Sequence, residues 1–342
     1  MSDYLSCSAF SEEFILIPEF KIVQEEIIQT NKSQFEKKEV VYNCVWRPSK
    51  FCDVKLPFVV IPIRNNIELI KHTFENFKSH DFFGHCNIIL VDDRSEENLE
   101  DVSTQYGVNY LRVDNSKGFN FSMLNNIAAL IAHKLGGKEL ILWNSDLWLA
   151  DIKHFHKFLK KHRNSNSTIS GSKLLYPIES LHSGDSVNIK EHFPDKTEGR
   201  YKGTVQFGGT RWVFGESGVP MKPMYIPMHY KRFADKDNPC VNCDTGTEFV
   251  TGALQIINLD WFIKVGGLNP SLSKIFQDTD LCLRAIQAGL KVMYFGKNIH
   301  FYHDESYNHF SNNNEPKIDK QFVSDNVLFT KIWANKIPSL IF

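Results

Sequence analysis

Three short runs in this chain are apolar almost from end to end and finish in polar residues. They are LPFVVIPI (56–63) before Arg64-Asn65-Asn66, CNIILVDD (86–93), and KELILW (138–143) before Asn144-Ser145-Asp146. A strand that is apolar on both faces must be covered on both, as in a parallel sheet flanked by helices. The segments between these runs have the matching period. IELIKHTFENFKSH (67–80) places Leu69, Ile70, Thr73, Phe74 and Phe77 on one helical face. EENLEDVSTQYG reads as helix, VNYLRVD as a short strand, and SMLNNIAALIAHKLGG as a helix stopped by two glycines. This βαβαβαβ alternation predicts an α/β fold with a Rossmann-like, mostly parallel central sheet flanked by helices. Ligands in such sheets bind beyond the carboxyl ends of the strands. The three polar tips are therefore expected to converge on one crevice.

Outside that frame the pattern loosens. Residues 1–55 show no motif and are expected as an N-terminal extension, with residues 56–150 as the ligand-binding half. In the second half, residues 151–310, the stretch 177–247 is rich in Gly, Pro, Lys and His. It is too long for an idle loop and reads as an irregular, substrate-facing excursion. EFVTGALQIIN (248–258) reads as a strand with Gly252 at a close approach, DTDLCLRAIQAG (278–289) as a helix, and KVMYF as a strand. An amphipathic helix at roughly 319–335 is expected within the C-terminal segment 311–342.

Charge and cysteine content exclude several classes. With 39 Lys plus Arg against 40 Asp plus Glu, the net charge of −1 gives no electrostatic basis for binding nucleic acid. No apolar run reaches the roughly 20 residues that span a bilayer. The start, MSDYLSCSAFSEE, has neither a basic n-region nor an apolar h-region, so no signal peptide is expected. Seven scattered cysteines fit a reducing, cytoplasmic compartment. Cys240 and Cys243 form one C-x-x-C, without the second pair a zinc ribbon needs.

The crevice lacks the G-x-G-x-x-G turn of a dinucleotide site; its first turn is PIRNN, and no Walker-type sequence occurs. A bound nucleotide diphosphate would need its charge neutralised another way, and a Mn²⁺ or Mg²⁺ ion on a carboxylate does this. Asp146, at the tip of an apolar strand, suits that role. His303 in HFYHDES could add a nitrogen ligand, or be a surface-loop histidine.

In order along the chain, these motifs resemble the inverting family 2 glycosyltransferases of the GT-A fold. VVIPIRNN resembles the family's first strand, and IILVDDRSEEN its V-D-D-x-S nucleotide segment. KGFNFSMLNN is similar to the F-N-F-S-x-x-N-N helix start, and LWNSD stands at the D-x-D element. FVTGALQIINLDWFIKVGGLNP with FQDTDLCLRAIQAGLKVMYF resembles the acceptor strand and the E-D-x-D-L-C-x-R helix, and HDES the closing His. The resemblance implies a nucleotide diphosphate sugar donor and a carbohydrate or lipid-linked acceptor. Asp146 and His303 would hold the metal. Asp92 or Asp93 would bond the base or ribose, Pro62, Arg64 and Asn65 would line the base pocket, and Lys117, Asn120 and Asn126 would lie near ribose or phosphate. Asn144 and Ser145 would complete the donor side, Gly252 and Gln277 would face the acceptor, and Asp278 would be the catalytic base. Inverting transfer needs one carboxylate to take the acceptor's proton. An apolar setting and the nearby Asp280 would both raise the pKa of Asp278.

Local chemistry keeps other readings open. Asp278 also suits a helix N-cap, and Asp280 with Arg284 an i,i+4 pair. The chain departs from the family at Asn144, which replaces the first acid of D-x-D, at Gln277, which replaces Glu, and at Arg64, where an aromatic residue is usual. QFGGTRW (206–212) has the wrong spacing and position for the processive Q-x-x-R-W, so addition of one or a few sugars is expected, as in assembly of bacterial-type surface polysaccharides. Trp143, Trp148 and Trp212 could stack on sugars or pack in the core. The C-terminal FTKIWANKIPSLIF could touch a membrane surface peripherally or dock on the catalytic domain. A sugar nucleotidyltransferase and a non-catalytic carbohydrate-binding protein on a decayed transferase fold are the rival functions.

Overall fold

The structure is a computed structural model that describes residues 18–30, 34–50, 52–115, 117–179, 201–217, 222–304 and 320–341. Cys7, residues 180–200 and 218–221 of the excursion, and Glu305 and Ser306 of HDES lie outside the described residues.

The three apolar runs form strands β3 (Phe58–Ile63), β4 (Asn87–Asp92) and β6 (Glu139–Trp143). β3 and β4 are buried at every position, as their composition requires. With β5 (Asn109–Asn115) they make a parallel block in the order β5-β4-β3-β6. The intervening helices are α1 (Ile67–Ser79), α2 (Leu99–Tyr106) and α3 (Phe121–Lys134). α1 buries the five side chains its periodicity selects, Leu69, Ile70, Thr73, Phe74 and Phe77. Asn66, in the left-handed region, caps it by accepting from the Leu69 N–H. β7 (Leu147–Leu149) follows the Asn144–Asp146 tip, and α4 (Ile152–Ser165) starts on an Asp151 N-cap.

The sheet continues beyond β6 through β14 (Leu254–Asn258), β8 (Ile169–Ser172), β15 (Val292–Phe295) and β13 (Asp244–Gly246). β14 runs antiparallel to β6, opposing Leu254 to Trp143. The strand expected over 248–258 begins only at Leu254, because residues 251–254 form a turn closed by Leu254 N–H on the Thr251 carbonyl at 3.2 Å. A second sheet of order β10-β9-β16-β7 joins β10 (Val205–Phe207), β9 (Leu174–Leu175) and β16 (Phe301–His303) to β7. β11 (Thr210–Ser217) and β12 (Lys222–His229) form a separate ribbon. The remaining helices are α5 (Leu259–Lys264), α6 (Gln277–Gln287), α7 (Lys320–Trp333) and α8 (Pro338–Ile341). Among the described residues, no helix is long and apolar enough to cross a membrane.

The N-terminal region, expected as an extension without a motif, contributes two strands to the main sheet. β1 (Glu19–Gln29) pairs with β2 (Phe35–Arg47), and β2 pairs antiparallel with β5 from Tyr42↔Asn115 to Arg47↔Tyr110. Phe20 and Ile22 point inward with period two, and the alternation then continues through Gln24 and Glu26, both buried. Those two polar residues hide the strand pattern. Glu26 accepts from the Tyr42 hydroxyl and pairs with Lys117 at 3.4 Å, while Asn120 donates to the Tyr42 oxygen at 3.3 Å. Burial raises the Glu26 pKa and lowers that of Lys117, so for both groups desolvation outweighs their attraction. A carboxyl whose folded pKa is raised contributes stability below its unfolded value of about 4.3 and loses it as pH rises through the folded value. Glu26→Gln removes that loss. The stability of the variant minus that of the wild type is expected to increase between pH 4 and pH 7 in urea titrations; a flat difference would remove Glu26 as a buried titrating group.

Candidate donor and catalytic site

The tips of β3, β4 and β6 stand side by side because their strands are parallel neighbours. At the β6 tip, Asn144 N–H donates to the Ala253 carbonyl at 3.0 Å, extending the β6–β14 pairing by one bond. The other side of that turn touches Asp278. Gly252 N–H donates to Asp278 Oδ2 at 2.7 Å, and Thr279 N–H to Oδ1 at 2.6 Å. A single turn, 251–254, thus links the segment carrying Asp146 to Asp278.

Asp146 is buried, and β16 brings His303 to it by opposing His303 to Leu147 across the β16–β7 pair. His303 Nε2 lies 3.3 Å from Asp146 Oδ1 and 3.3 Å from Asn144 Nδ2. Ser145 is fixed through its carbonyl, which accepts the Thr73 hydroxyl at 2.6 Å. Among the described residues, no cluster of three His, Cys, Asp or Glu side chains is arranged to hold a metal ion. Asp146 and His303 therefore offer one oxygen and one nitrogen donor. That pair suits a Mn²⁺ ion whose other positions are filled by diphosphate and water oxygens.

Asp278 lies in the first turn of α6, and the helix starts from Phe276 in the left-handed region rather than from an Asp278 cap. Burial is the largest influence on Asp278 and raises its pKa, against the backbone N–H groups of Gly252, Thr279 and Asp278 and the Thr279 hydroxyl, which lower it. Asp280 takes no part in that shift. It faces away, pairing with Arg284 Nε at 2.9 Å and accepting from the Trp333 indole N–H at 2.9 Å.

The two aspartates of IILVDD separate completely. Asp92 Oδ1 accepts from Ser95 N–H at 2.7 Å; Oδ2 accepts from the Tyr110 hydroxyl at 2.6 Å and from Arg112 at 3.1 Å. Asp93 is equally enclosed, yet neither carboxyl oxygen has a hydrogen-bond donor; its contact is an ion pair with Arg94 Nε at 3.3 Å. Burial raises the Asp93 pKa, and the charges of Arg94 and Arg64 lower it. Nearby, Arg94 donates to the Asn115 carbonyl, and the buried Asn115 Nδ2 has no acceptor. The Asp93 carboxylate, held through the charges of Arg94 and Arg64, and the spare Asn115 amide N–H offer an acceptor and a donor complementary to the edge of a nucleobase.

Several other expected donor residues are already committed. Pro62 is buried in β3 opposite Val91, beyond the stretch paired with β6. Asn65, at φ 56°, donates its N–H to Ser95 Oγ at 2.7 Å and accepts from Glu96 N–H at 2.8 Å. Asn120 caps α3 by accepting from Met123 N–H and donates to the Pro270 carbonyl at 2.9 Å. Both ends of the Asn126 amide bond Leu268 at 2.8 Å. Lys117 is held by Glu26. On the acceptor side, Gln277 Nε2 donates to the Lys274 carbonyl at 3.3 Å while its Oε1 is buried without a donor. Trp143 and Trp148 are core residues whose indole N–H groups bond Leu147 O and Thr73 Oγ1. Trp212 is half-buried, packed edge-on to Phe249 with an unpaired N–H. Arg94, the variable position of the V-D-D-x-S segment just past β4, and Asn115, the last residue of β5, were not among the expected donor residues.

A Cβ built on Gly252 would lie 3.2 Å from Asp278 Cβ and 3.5 Å from its Oδ2. Gly252→Ala is expected to displace Asp278 and destabilise the protein by about 1–2 kcal/mol through overpacking. Denaturation by urea checks this, and an unchanged midpoint would mean the contact is slack.

Known proteins resemble this chain in sequence motif and fold. Residues 58–213 match the family model described as glycosyl transferase family 2, the family the motifs resemble. The protein is similar to the "Uncharacterized protein y4gI" of Sinorhizobium fredii, at 25% identity over 245 residues, which cover 68% of this chain and 22% of that one. It thus spans about a fifth of the length of that curated relative. In fold it is similar to GalNAc-T7, crystallised with UDP, GalNAc and Mn²⁺, with a TM-score of 0.56 and 15% identity over 83% of this chain and 50% of the other. The architecture is that of a GT-A glycosyltransferase.

Proposed function

We propose that this protein, with its glycosyl transferase family 2 match over residues 58–213 and its GT-A architecture, transfers a sugar from a nucleotide diphosphate donor to a carbohydrate or glycolipid acceptor with inversion. The observation that carries this reading is the 251–254 turn, which couples Asp278 to the strand tip leading to Asp146 and His303. Asp278 is the base. Its carboxylate takes the acceptor hydroxyl's proton as that oxygen attacks the anomeric carbon and the nucleoside diphosphate leaves. Asp146 and His303 would hold Mn²⁺, or less readily Mg²⁺, and the ion would supply positive charge for the departing diphosphate. Asp93 accepts an N–H from the base, Asn115 donates to a carbonyl beside it, and Arg64 covers the pocket from its exposed position. Gln277 and Gly252 face the acceptor. We further propose one or a few sugars added per acceptor, in assembly of a surface polysaccharide or related glycan. The division into an N-terminal segment 1–55, donor half 56–150, catalytic half 151–310 and C-terminal segment 311–342 belongs to this reading. So do a cytoplasmic location and peripheral contact with a membrane-borne acceptor.

Thermal shifts with UDP, GDP, dTDP and CMP, each with Mn²⁺ and with EDTA, test the donor and metal assignments together. Stabilisation by one diphosphate only with Mn²⁺ is expected. Equal stabilisation with EDTA removes the metal from the reading, and no response to any nucleotide removes the donor.

Asp278→Asn should lower transfer by about 10²- to 10⁴-fold, the usual range for losing a general base, while leaving the nucleotide shift intact. Because burial raises the Asp278 pKa, the wild-type rate should rise with pH through a value above the ordinary Asp range near 3.9. Full transfer by the variant would refute the base.

A further inference from the structure

The loop from Leu268 to Phe276 delivers Asp278, and it is gripped from two sides. On one side stands the α3 start. Phe121 N–H donates to the Ser273 carbonyl at 2.8 Å, and Ser122 Oγ to the Leu272 carbonyl at 2.5 Å. Asn120 binds the Pro270 carbonyl, and Asn126 binds both backbone groups of Leu268. On the other side stands α7. Asp325 is buried on it, and its Oδ2 accepts from Lys274 N–H at 2.6 Å and Ile275 N–H at 3.1 Å. Its Oδ1 accepts from Ser273 Oγ at 3.4 Å. Two further contacts fasten α7 to the same region. The Phe329 ring stacks on Phe276 at 4.4 Å, and the Trp333 indole bonds Asp280.

This grip has a reason. Phe276 holds φ at 64°, a conformation that costs a residue with a Cβ roughly 1–2 kcal/mol. Released, it would relax and rotate the first turn of α6, which carries Asp278. Burial pushes the Asp325 carboxyl up to about 6, and the Lys274, Ile275 and Ser273 donors partly oppose it, so the charge is kept there at a cost.

We infer that Asp325 and Asn126 are positioning residues for Asp278: they clamp the 268–276 loop between α7 and α3 and touch neither donor nor acceptor. The inference rests on the assignment of Asp278 as base. It gives Asn126 a different task from donor binding, and it extends the catalytic apparatus to residues 320–333, well past the matched 58–213 segment.

Full-length Asp325→Ala and Asn126→Asp test the clamp by three measurements. The first is amide exchange of peptides covering 268–280. The second is the thermal shift with UDP, GDP and dTDP in Mn²⁺. The third is the pH profile of nucleoside diphosphate release from UDP-, GDP- and dTDP-hexoses. Expected are faster exchange of the Lys274 and Ile275 amides in the Asp325 variant, an unchanged nucleotide shift in both, and a kcat lower by about tenfold to a hundredfold at constant donor KM. The acid limb of the profile should move as the Asp278 environment changes, and Asp325→Glu should restore part of the rate. A full kcat and an unmoved acid limb in a folded Asp325 variant would overturn the role, as would loss of the nucleotide shift in Asn126→Asp. If Asp325→Ala does not fold, the near-isosteric Asp325→Asn is read by the same criteria. Failure of the base assignment is seen separately, as full turnover by Asp278→Asn.

Discussion

The antiparallel seam between β6 and β14 is the constraint on which the site depends. A purely parallel sheet would carry each strand tip to the crevice and then send the chain away through a helix. Here β14 approaches β6 from the opposite direction, so the 251–254 turn arrives where β6 ends. That turn thereby ties together a carboxylate-bearing segment from each half of the chain, Asp146 after β6 and Asp278 from α6. A side chain at Gly252 would press on Asp278, its Cβ lying 3.2 Å from that of Asp278.

Buried charge is distributed with a consistent logic. Asp92, Asp280, Asp325 and Glu26 each lie in the interior and each is bonded to donors that hold a loop, a helix or a hairpin in place. Such groups are structural even when they stand inside a motif. Asp93 breaks the rule: it is enclosed, neither oxygen accepts a hydrogen bond, and only the charges of Arg94 and Arg64 offset its own. A buried polar group left without a hydrogen bond costs on the order of 1–3 kcal/mol, and under the proposed function a nucleobase N–H would supply the missing bond. The contrast between adjacent residues shows why a shared motif does not imply a shared role.

Legibility varied with how local the controlling physics is. β3, β4, β6 and α1 could be read because continuous apolar runs and helical period are imposed by burial on a single element. The β1–β2 hairpin could not, because Gln24 and Glu26 point inward, and Glu26 is satisfied by Tyr42 and Lys117 from other parts of the chain. The pKa of Asp278 was expected to rise from both burial and Asp280, and only burial acts, since Trp333 and Arg284 turn Asp280 away. Asn120 and Asn126 were legible as a motif, but their partners in the 268–276 loop lie 150 and 142 residues downstream.

By itself the sequence determined the α/β architecture, the three polar strand tips and the ordered motifs that resemble a glycosyltransferase family, because hydrophobic period and motif order are written along the chain. Tertiary structure alone decided which of the motif's polar side chains are free to meet a ligand. It saturated the Asp92 oxygens with hydrogen bonds and left those of Asp93 without one, it paired Asp146 with His303, and it placed Asp325 behind the loop of Asp278. Each of those outcomes depends on hydrogen-bond partners far apart in sequence. A donor or acceptor can be spent only once, and where it is spent is settled when the elements pack.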